Sequence, residues 1–214
     1  MSLNHAQTEA VAHNKGPCMV LAGPGSGKTL TIAKRIEYLI MKHKVRPEEI
    51  LVITFTKYAA WEMKNRTRSI CGPSSYAVTF GTFHGIYYGI LKWAYRLNQS
   101  NLLSDEEKYR ILREILPGID WDQEPEADEE KDYLQELAIE IGNVKNNCMD
   151  IEEYEPVKYT TEKFRKLYRT YEETKKKYRK IDFEDMLIQC RDLFMKRPDI
   201  LKKMAGKISV YSCR

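Results

Sequence analysis

The sequence predicts an α/β fold, a parallel sheet with packed helices, that carries an all-helical insertion. Three observations predict it. Between residues 17 and 95, short apolar runs alternate with stretches of helical periodicity. The apolar run Cys18-Met19-Val20-Leu21 passes directly into the small-residue loop Ala22-Gly23-Pro24-Gly25-Ser26-Gly27-Lys28-Thr29. After Asn98 the alternation stops, and apolar residues recur only at helical spacing. Alternating β and α units imply parallel strands joined by crossover helices.

Taken in order, the pattern places strands over 17–22, 49–54 and 76–80, and helices over 28–42, 57–70 and 83–95. Ile32, Ile36, Leu39 and Ile40 share one face of the first of these helices. Pro47 and Gly72-Pro73 punctuate the connections, as chain breakers should. Ser104 and Glu107 have capping-box spacing ahead of a helix whose apolar face is Tyr109, Ile111, Leu112, Ile115 and Leu116. A helix over about 129–147 carries Tyr133, Leu134, Leu137, Ile141 and Val144, and one over about 161–179 carries Phe164, Leu167, Tyr168, Tyr171 and Tyr178. These aromatics are expected in the core rather than as stacking platforms. A helix over 181–194 and a short one from Pro198 to Ala205 complete the order. The predicted division is 1–95, a helical insertion over 96–180, and a return to the first unit over 181–214.

The 214 residues, 43% apolar and 31% charged, have the composition of an ordinary globular chain. No apolar run approaches the roughly 20 residues a bilayer requires. Met1-Ser2-Leu3-Asn4 has neither the basic start nor the apolar core of a signal peptide. The expectation is a cytoplasmic monomer without a membrane partner. Cys18, Cys71, Cys148, Cys190 and Cys213 form no Cys-x-x-Cys pair, which argues against zinc and disulfides. The net charge of +4 is mild but uneven: residues 120–136 hold nine carboxylates against Lys131, and residues 163–180 hold nine cations against Glu172 and Glu173. Both blocks read as solvated helix faces.

The loop Ala22–Thr29 carries the chemistry. Gly23, Gly25 and Gly27 keep side chains away, so that backbone N–H groups can turn toward phosphate. Lys28 can then reach the β and γ oxygens of a nucleotide, and the Thr29 hydroxyl can ligate Mg²⁺. The following helix points its positive dipole end at the bound anion. Ala22, Gly23, Pro24, Gly25, Ser26, Gly27, Lys28 and Thr29 are therefore the expected binders of a nucleoside triphosphate with Mg²⁺. Lys28 and Thr29 act in catalysis, and Thr29 is the metal ligand. Gln7 offers an amide with both a donor and an acceptor, and taken alone it reads as a surface glutamine of a first helix.

Four further segments surround the loop in fixed order: Leu3-Asn4-x-x-Gln7; Ile50–Thr56 with Ala59-Ala60, Met63 and Arg66; Gly81-Thr82-Phe83-His84-Gly85; and Asp182-Phe183-Glu184-Asp185-Met186-Leu187. With them the chain resembles the N-terminal part of the UvrD, PcrA and Rep family, superfamily 1 DNA helicases that move 3′ to 5′ on single strands. The resemblance implies a RecA-like P-loop sheet with a helical insertion, and Gln7 as the adenine-reading Q motif. It further implies that Thr54, Phe55 and Thr56 touch single-stranded DNA and that Thr82, Phe83 and His84 hold its backbone. The implied partner is single-stranded or 3′-tailed duplex DNA. Asp182 and Asp185 read as helix caps rather than as acid and base. Four positions depart from the family: Ala22 stands for the first loop glycine, Lys57-Tyr58 for Asn-Lys, and Leu30 for a basic residue.

In that family an apolar strand ending Asp-Glu follows the Asp-Phe-x-Asp helix, and here it is due near Lys207. The residues read Lys207-Ile208-Ser209-Val210-Tyr211-Ser212-Cys213-Arg214 instead. The expectation is a truncated N-terminal fragment that binds but neither unwinds DNA nor turns ATP over appreciably. Two origins of the tail stay open: a one-base insertion in an adenine run near codon 207, displacing an encoded Lys-Tyr-Gln-Tyr-Ile-Leu-Val and an acidic residue, and a chain meant to end there. Two other readings are a non-enzymatic nucleotide and DNA binding short form and, less well supported, a P-loop kinase. A kinase leaves Gln7, Thr54-Phe55-Thr56 and Thr82-Phe83-His84 unexplained together.

Overall fold

A computed structural model of the chain describes residues 3–119 and 129–213; the part of the acidic block over 120–128 lies outside the described residues. The chain divides into two compact units. The first comprises Met1–Ile86 and Phe194–Arg214, and the second Tyr87–Leu193.

The first unit holds α1 (His5–Ala12), α2 (Lys28–Met41), β1 (Ile50–Thr54), α3 (Lys57–Cys71), β2 (Thr79–Thr82), the start of α4 (Phe83–Tyr95), α9 (Pro198–Ala205) and β3 (Val210–Cys213). The strands form one parallel sheet in the order β2-β1-β3. β1 is central, and Ile50, Val52 and Thr54 on one of its faces are buried. Alternate positions of a strand face opposite sides, so Ile50 and Val52 enter the core with Ile36, Leu39, Met63 and Val78. Ile32 and Ile40 pack against that cluster, so the face predicted for α2 is the face it buries. α3 buries Ala60, Met63, Thr67 and Cys71, a helical spacing set against the same sheet.

Two strands differ from the sequence-based expectation. No strand forms over 17–22: Met19 and Leu21 are 85% and 88% exposed. An apolar run becomes a strand only where a neighbour takes up its N–H and C=O groups. Among the described residues the sheet ends at β2 and β3, and the run 17–22 is paired with neither. The strand expected over 76–80 begins at Thr79, because the Gly72–Ser75 turn continues into Tyr76 and Val78, whose N–H groups donate to Pro73 and Ser75 carbonyls at 3.1 Å. The tail from Ser209 does pair, with Ser209 N donating to the Glu49 carbonyl at 3.0 Å and Val210 set opposite Ile50.

The second unit is helical among the described residues, apart from one isolated parallel bridge between Leu102 and Ile181. α5 (Asp105–Ile115) starts with the predicted capping box, in which Ser104 accepts from the Glu107 N–H and Glu107 accepts from the Ser104 N–H. α6 (Glu130–Asn146), α7 (Thr161–Lys177) and α8 (Asp185–Lys196) follow. Ile111, Leu112, Leu134, Leu137, Ile141, Val144, Phe164, Leu167 and Tyr171 form the core, with Tyr133 and Tyr168 against it. Tyr178 is the exception to the expected aromatic stripe. It caps α7 at 50% exposure, with Lys177 over its ring. α8 starts at Asp185 rather than 181 because Asp182 and Asp185 cap it reciprocally, each accepting from the other's N–H. Cys18, Cys71, Cys148 and Cys190 are free thiols, and burial raises those of Cys71 and Cys190 to about 11. No helix among the described residues is long and apolar enough to cross a membrane.

Candidate nucleotide and nucleic-acid site

The loop over 22–29, predicted to hold phosphate, owes its shape to backbone geometry. Gly25 and Gly27 take φ of 74° and 79°, a left-handed conformation that costs other residues roughly 1–2 kcal/mol. Gly27 is the N-cap of α2 and supplies no side chain, so the first-turn N–H groups have no side-chain acceptor. Such orphan donors at the positive end of a helix are an anion site. The Lys28 ammonium lies in the loop, donating to the carbonyls of Gly23 at 2.7 Å and Ala22 at 3.2 Å. Ser26 folds inward, its hydroxyl donating to Gly23 O at 2.8 Å. Ala22 and Pro24 stay exposed, whereas Thr29 is buried.

Gln7 is joined to this loop. Its Nε2 donates to the Ser26 carbonyl at 2.9 Å, while its Oε1 accepts from the Asn4 N–H at 2.9 Å. The second contact closes a capping box, since Asn4 Oδ1 accepts from the Gln7 N–H in return. This bracing role was readable but unread: Asn4 three residues ahead of Gln7 is capping-box spacing. Arg35 carries α1 further onto α2, donating to the carbonyls of Ala10 and Val11 at 3.2 Å.

The second group of predicted residues lies at the carboxyl ends of β1 and β2, where open parallel sheets bind ligands. Thr54 stands opposite Thr82 in the parallel register. The rings of Phe55 and Phe83 meet edge to face at 6.1 Å. The hydroxyls hold the turns: buried Thr54 donates to the Thr56 carbonyl at 2.9 Å, Thr56 accepts from the Ala59 N–H at 3.1 Å, and Thr82 accepts from the Gly85 N–H at 3.1 Å. Phe55 is 81% exposed, and His84 is half-buried. Sequence adjacency thus becomes one surface, with a solvent-facing ring beside two helix starts.

For Mg²⁺ the loop offers Thr29, whose hydroxyl is the fitting donor at the helix start. The cluster of three carboxylates with metal-ligand proximity among the described residues, Glu172, Asp182 and Asp185, lies instead in the helical unit. It is already answered by protein cations. Lys145 Nζ contacts Asp182 at 2.6 Å, Asp185 at 2.8 Å and Glu172 at 2.6 Å. Lys175 Nζ contacts the same three at 2.6, 2.6 and 2.8 Å. Burial pushes the Asp182 carboxyl up, but Lys175 and Lys145 outweigh it and hold it well below the usual range. Burial pulls Lys145 down, and the carboxylates outweigh that and raise it. Asp185 moves upward, since burial and the surplus of three carboxylates over two ammoniums dominate there. Capping was the predicted role of Asp182 and Asp185; their lysine partners were not anticipated. The signal was present, because Lys145 and Lys175 sit four residues after the apolar positions Ile141 and Tyr171 and so fall on the buried helix faces.

Comparison with known proteins finds relatives along nearly the whole chain. The family model described as UvrD/REP helicase N-terminal domain matches residues 3–211. YjcD of Bacillus subtilis (strain 168) is 34% identical over 220 residues, covering 98% of this chain and 28% of that protein. The ATP-dependent DNA helicase PcrA of Bacillus subtilis (strain 168) is 32% identical over 206 residues, covering 94% of this chain and 27% of PcrA. DNA helicase II of Escherichia coli (strain K12) is 31% identical over 211 residues, covering 94% and 28%. The chain therefore spans a little over a quarter of the length of these relatives. With a family match over residues 3–211 and relatives 31–34% identical along nearly all of its residues, this protein belongs to the UvrD/REP helicase N-terminal domain family.

Proposed function

We propose that these residues are the ATP-binding and DNA-engaging N-terminal part of an ATP-dependent DNA helicase that moves 3′ to 5′. The first unit is then a RecA-like motor subdomain and the helical unit its insertion. The observation that carries the reading is the Gln7 Nε2 contact to Ser26 O at 2.9 Å, which couples an adenine-selecting residue to the phosphate loop. The loop glycines and the uncapped start of α2 take the phosphates, Lys28 exchanges its two carbonyl partners for phosphate oxygens, and Thr29 holds Mg²⁺. Bound Mg²⁺ supplies charge neutralisation at the phosphates.

Single-stranded DNA is taken at the strand ends. Phe55 stacks on a base, while Thr54, Thr56, Thr82, Phe83 and His84 hold the turns and backbone contacts around it. The protein works as a cytoplasmic monomer on single strands and 3′-tailed duplexes. On their own, the 214 residues turn ATP over slowly, since the side chain offered to the metal at the loop is the neutral hydroxyl of Thr29.

Titrating the chain with fluorescent ATP and Mg²⁺, and separately with a labelled oligothymidylate, tests both sites. The reading expects saturable binding of each, ATP binding lost in Lys28→Ala, and DNA binding that weakens steeply with salt. Binding of neither ligand refutes it. Brisk DNA-stimulated hydrolysis by the same chain refutes the slow-turnover part alone.

A further inference from the structure

α3 turns its buried residues Ala60, Met63, Thr67 and Cys71 to the core, yet it presents two large rings to solvent on the other side. Tyr58 is 71% exposed and Trp61 is 59% exposed. Exposing two such rings forgoes the burial that normally places them, so their position asks for a ligand. They are not independent. Residues three apart on a helix are neighbours, and these ring centroids lie 5.9 Å apart at an interplanar angle of 33°. The helix is also cationic, with Lys57, Lys64, Arg66 and Arg68 against the single carboxylate of Glu62. Lys57 precedes Trp61 by four residues, Lys64 follows it by three and Arg68 by seven, so three cations line the aromatic face. Arg68 itself lies over the half-exposed Tyr76 ring at 4.9 Å.

We propose that Tyr58 and Trp61 are a second stacking platform for single-stranded nucleic acid, continuing from Phe55 along α3, with Lys57, Lys64 and Arg68 tracking the phosphates. The inference rests on the strand-end reading above and extends it to residues that depart from the family's pattern at 57 and 58. Exposed rings interleaved with cations are what a single strand needs, because every base has a stacking face and every link a charge. A second copy of this chain fits less well, since a two-fold contact would bring the same cations against one another.

The test is fluorescence anisotropy of a labelled oligothymidylate with the full chain and its Phe55→Ala, Tyr58→Ala, Trp61→Ala and Trp61→Phe variants, each checked by circular dichroism. Trp61→Ala and Tyr58→Ala are each expected to weaken binding about fivefold or more, with Trp61→Phe recovering most of the loss. The slope of log Kd against log salt stays unchanged in these variants and falls in Lys57→Ala/Lys64→Ala. If Phe55→Ala weakens binding while the Tyr58 and Trp61 variants bind like the parent, this inference fails and the strand-end reading stands. If the Trp61 variant loses affinity while Phe55→Ala does not, the platform stands and the strand-end assignment of Phe55 fails. A parent chain that binds no oligonucleotide, or that self-associates through Trp61 instead, overturns the platform.

Discussion

The side-chain amide of Gln7 closes over the loop beside Gly27: its Nε2 donates to Ser26 O at 2.9 Å and lies 2.9 Å from where a Cβ on Gly27 would stand. Gly27 is therefore constrained twice, by its φ of 79° and by Gln7. Gly27→Ala is expected to lower stability by about 1–2 kcal/mol from backbone strain alone, and to abolish ATP binding as Gln7 is pushed off the loop. Thermal melts and nucleotide titration of this variant measure the two effects separately.

Gln7→Ala removes both the α1 capping box and the loop contact. Asn4 still caps the helix by accepting from the residue-7 N–H, so only the reciprocal bond to the Asn4 N–H is lost and the stability cost stays below about 1 kcal/mol. The expected functional result is weaker ATP binding together with a smaller preference for ATP over GTP, read by competition titration. An unchanged preference would leave Gln7 as a brace only.

Lys28→Ala separates binding from folding. The ammonium's partners are two exposed loop carbonyls, which water can serve once it is gone. Tm is expected to change by no more than a degree or two, while ATP affinity falls at least about tenfold through loss of the charge-assisted phosphate contact.

Beside its apolar core, the helical unit holds the cluster of Lys145, Lys175, Asp182, Asp185 and Glu172. Lys145→Met leaves buried carboxylates short of a partner and is expected to cost about 3–5 kcal/mol. A double variant that also carries Asp182→Asn should recover part of this, as a double-mutant cycle would reveal.

The same cluster sets a pH window. Asp182 is depressed in the folded state, so its contribution is complete above the ordinary carboxylate value of about 3.9 and is lost as pH falls toward the folded value. Lys145 is raised, so its contribution is complete below about 10.4 and is lost as pH climbs through the folded value. Asp185, raised by burial, acts in the opposite sense and blunts the acid limb. Melting curves between pH 3 and 11 should therefore show a plateau near neutrality, and Asp182→Asn should flatten its acid side.

Local patterns on this chain were sufficient for everything that a single helix or loop enforces by itself. The left-handed glycines of the loop over 22–29, the capping box at Ser104 and Glu107, the apolar face of α2 and the helical character of α5 to α7 each depend on residues a few positions apart. Tertiary structure decided what depends on a distant neighbour. Cys18–Leu21 has the composition of a strand but pairs with no strand of the described sheet, whereas Val210–Cys213 pairs with β1. Lys145 and Lys175 look like surface cations until α6 and α7 turn them onto Asp182 and Asp185. Gln7 gained its loop contact across nineteen residues. The division is physical: periodicity and capping are encoded within a few residues of chain, but a ladder partner, a buried counter-charge or a shared surface exists only once separate segments have packed together.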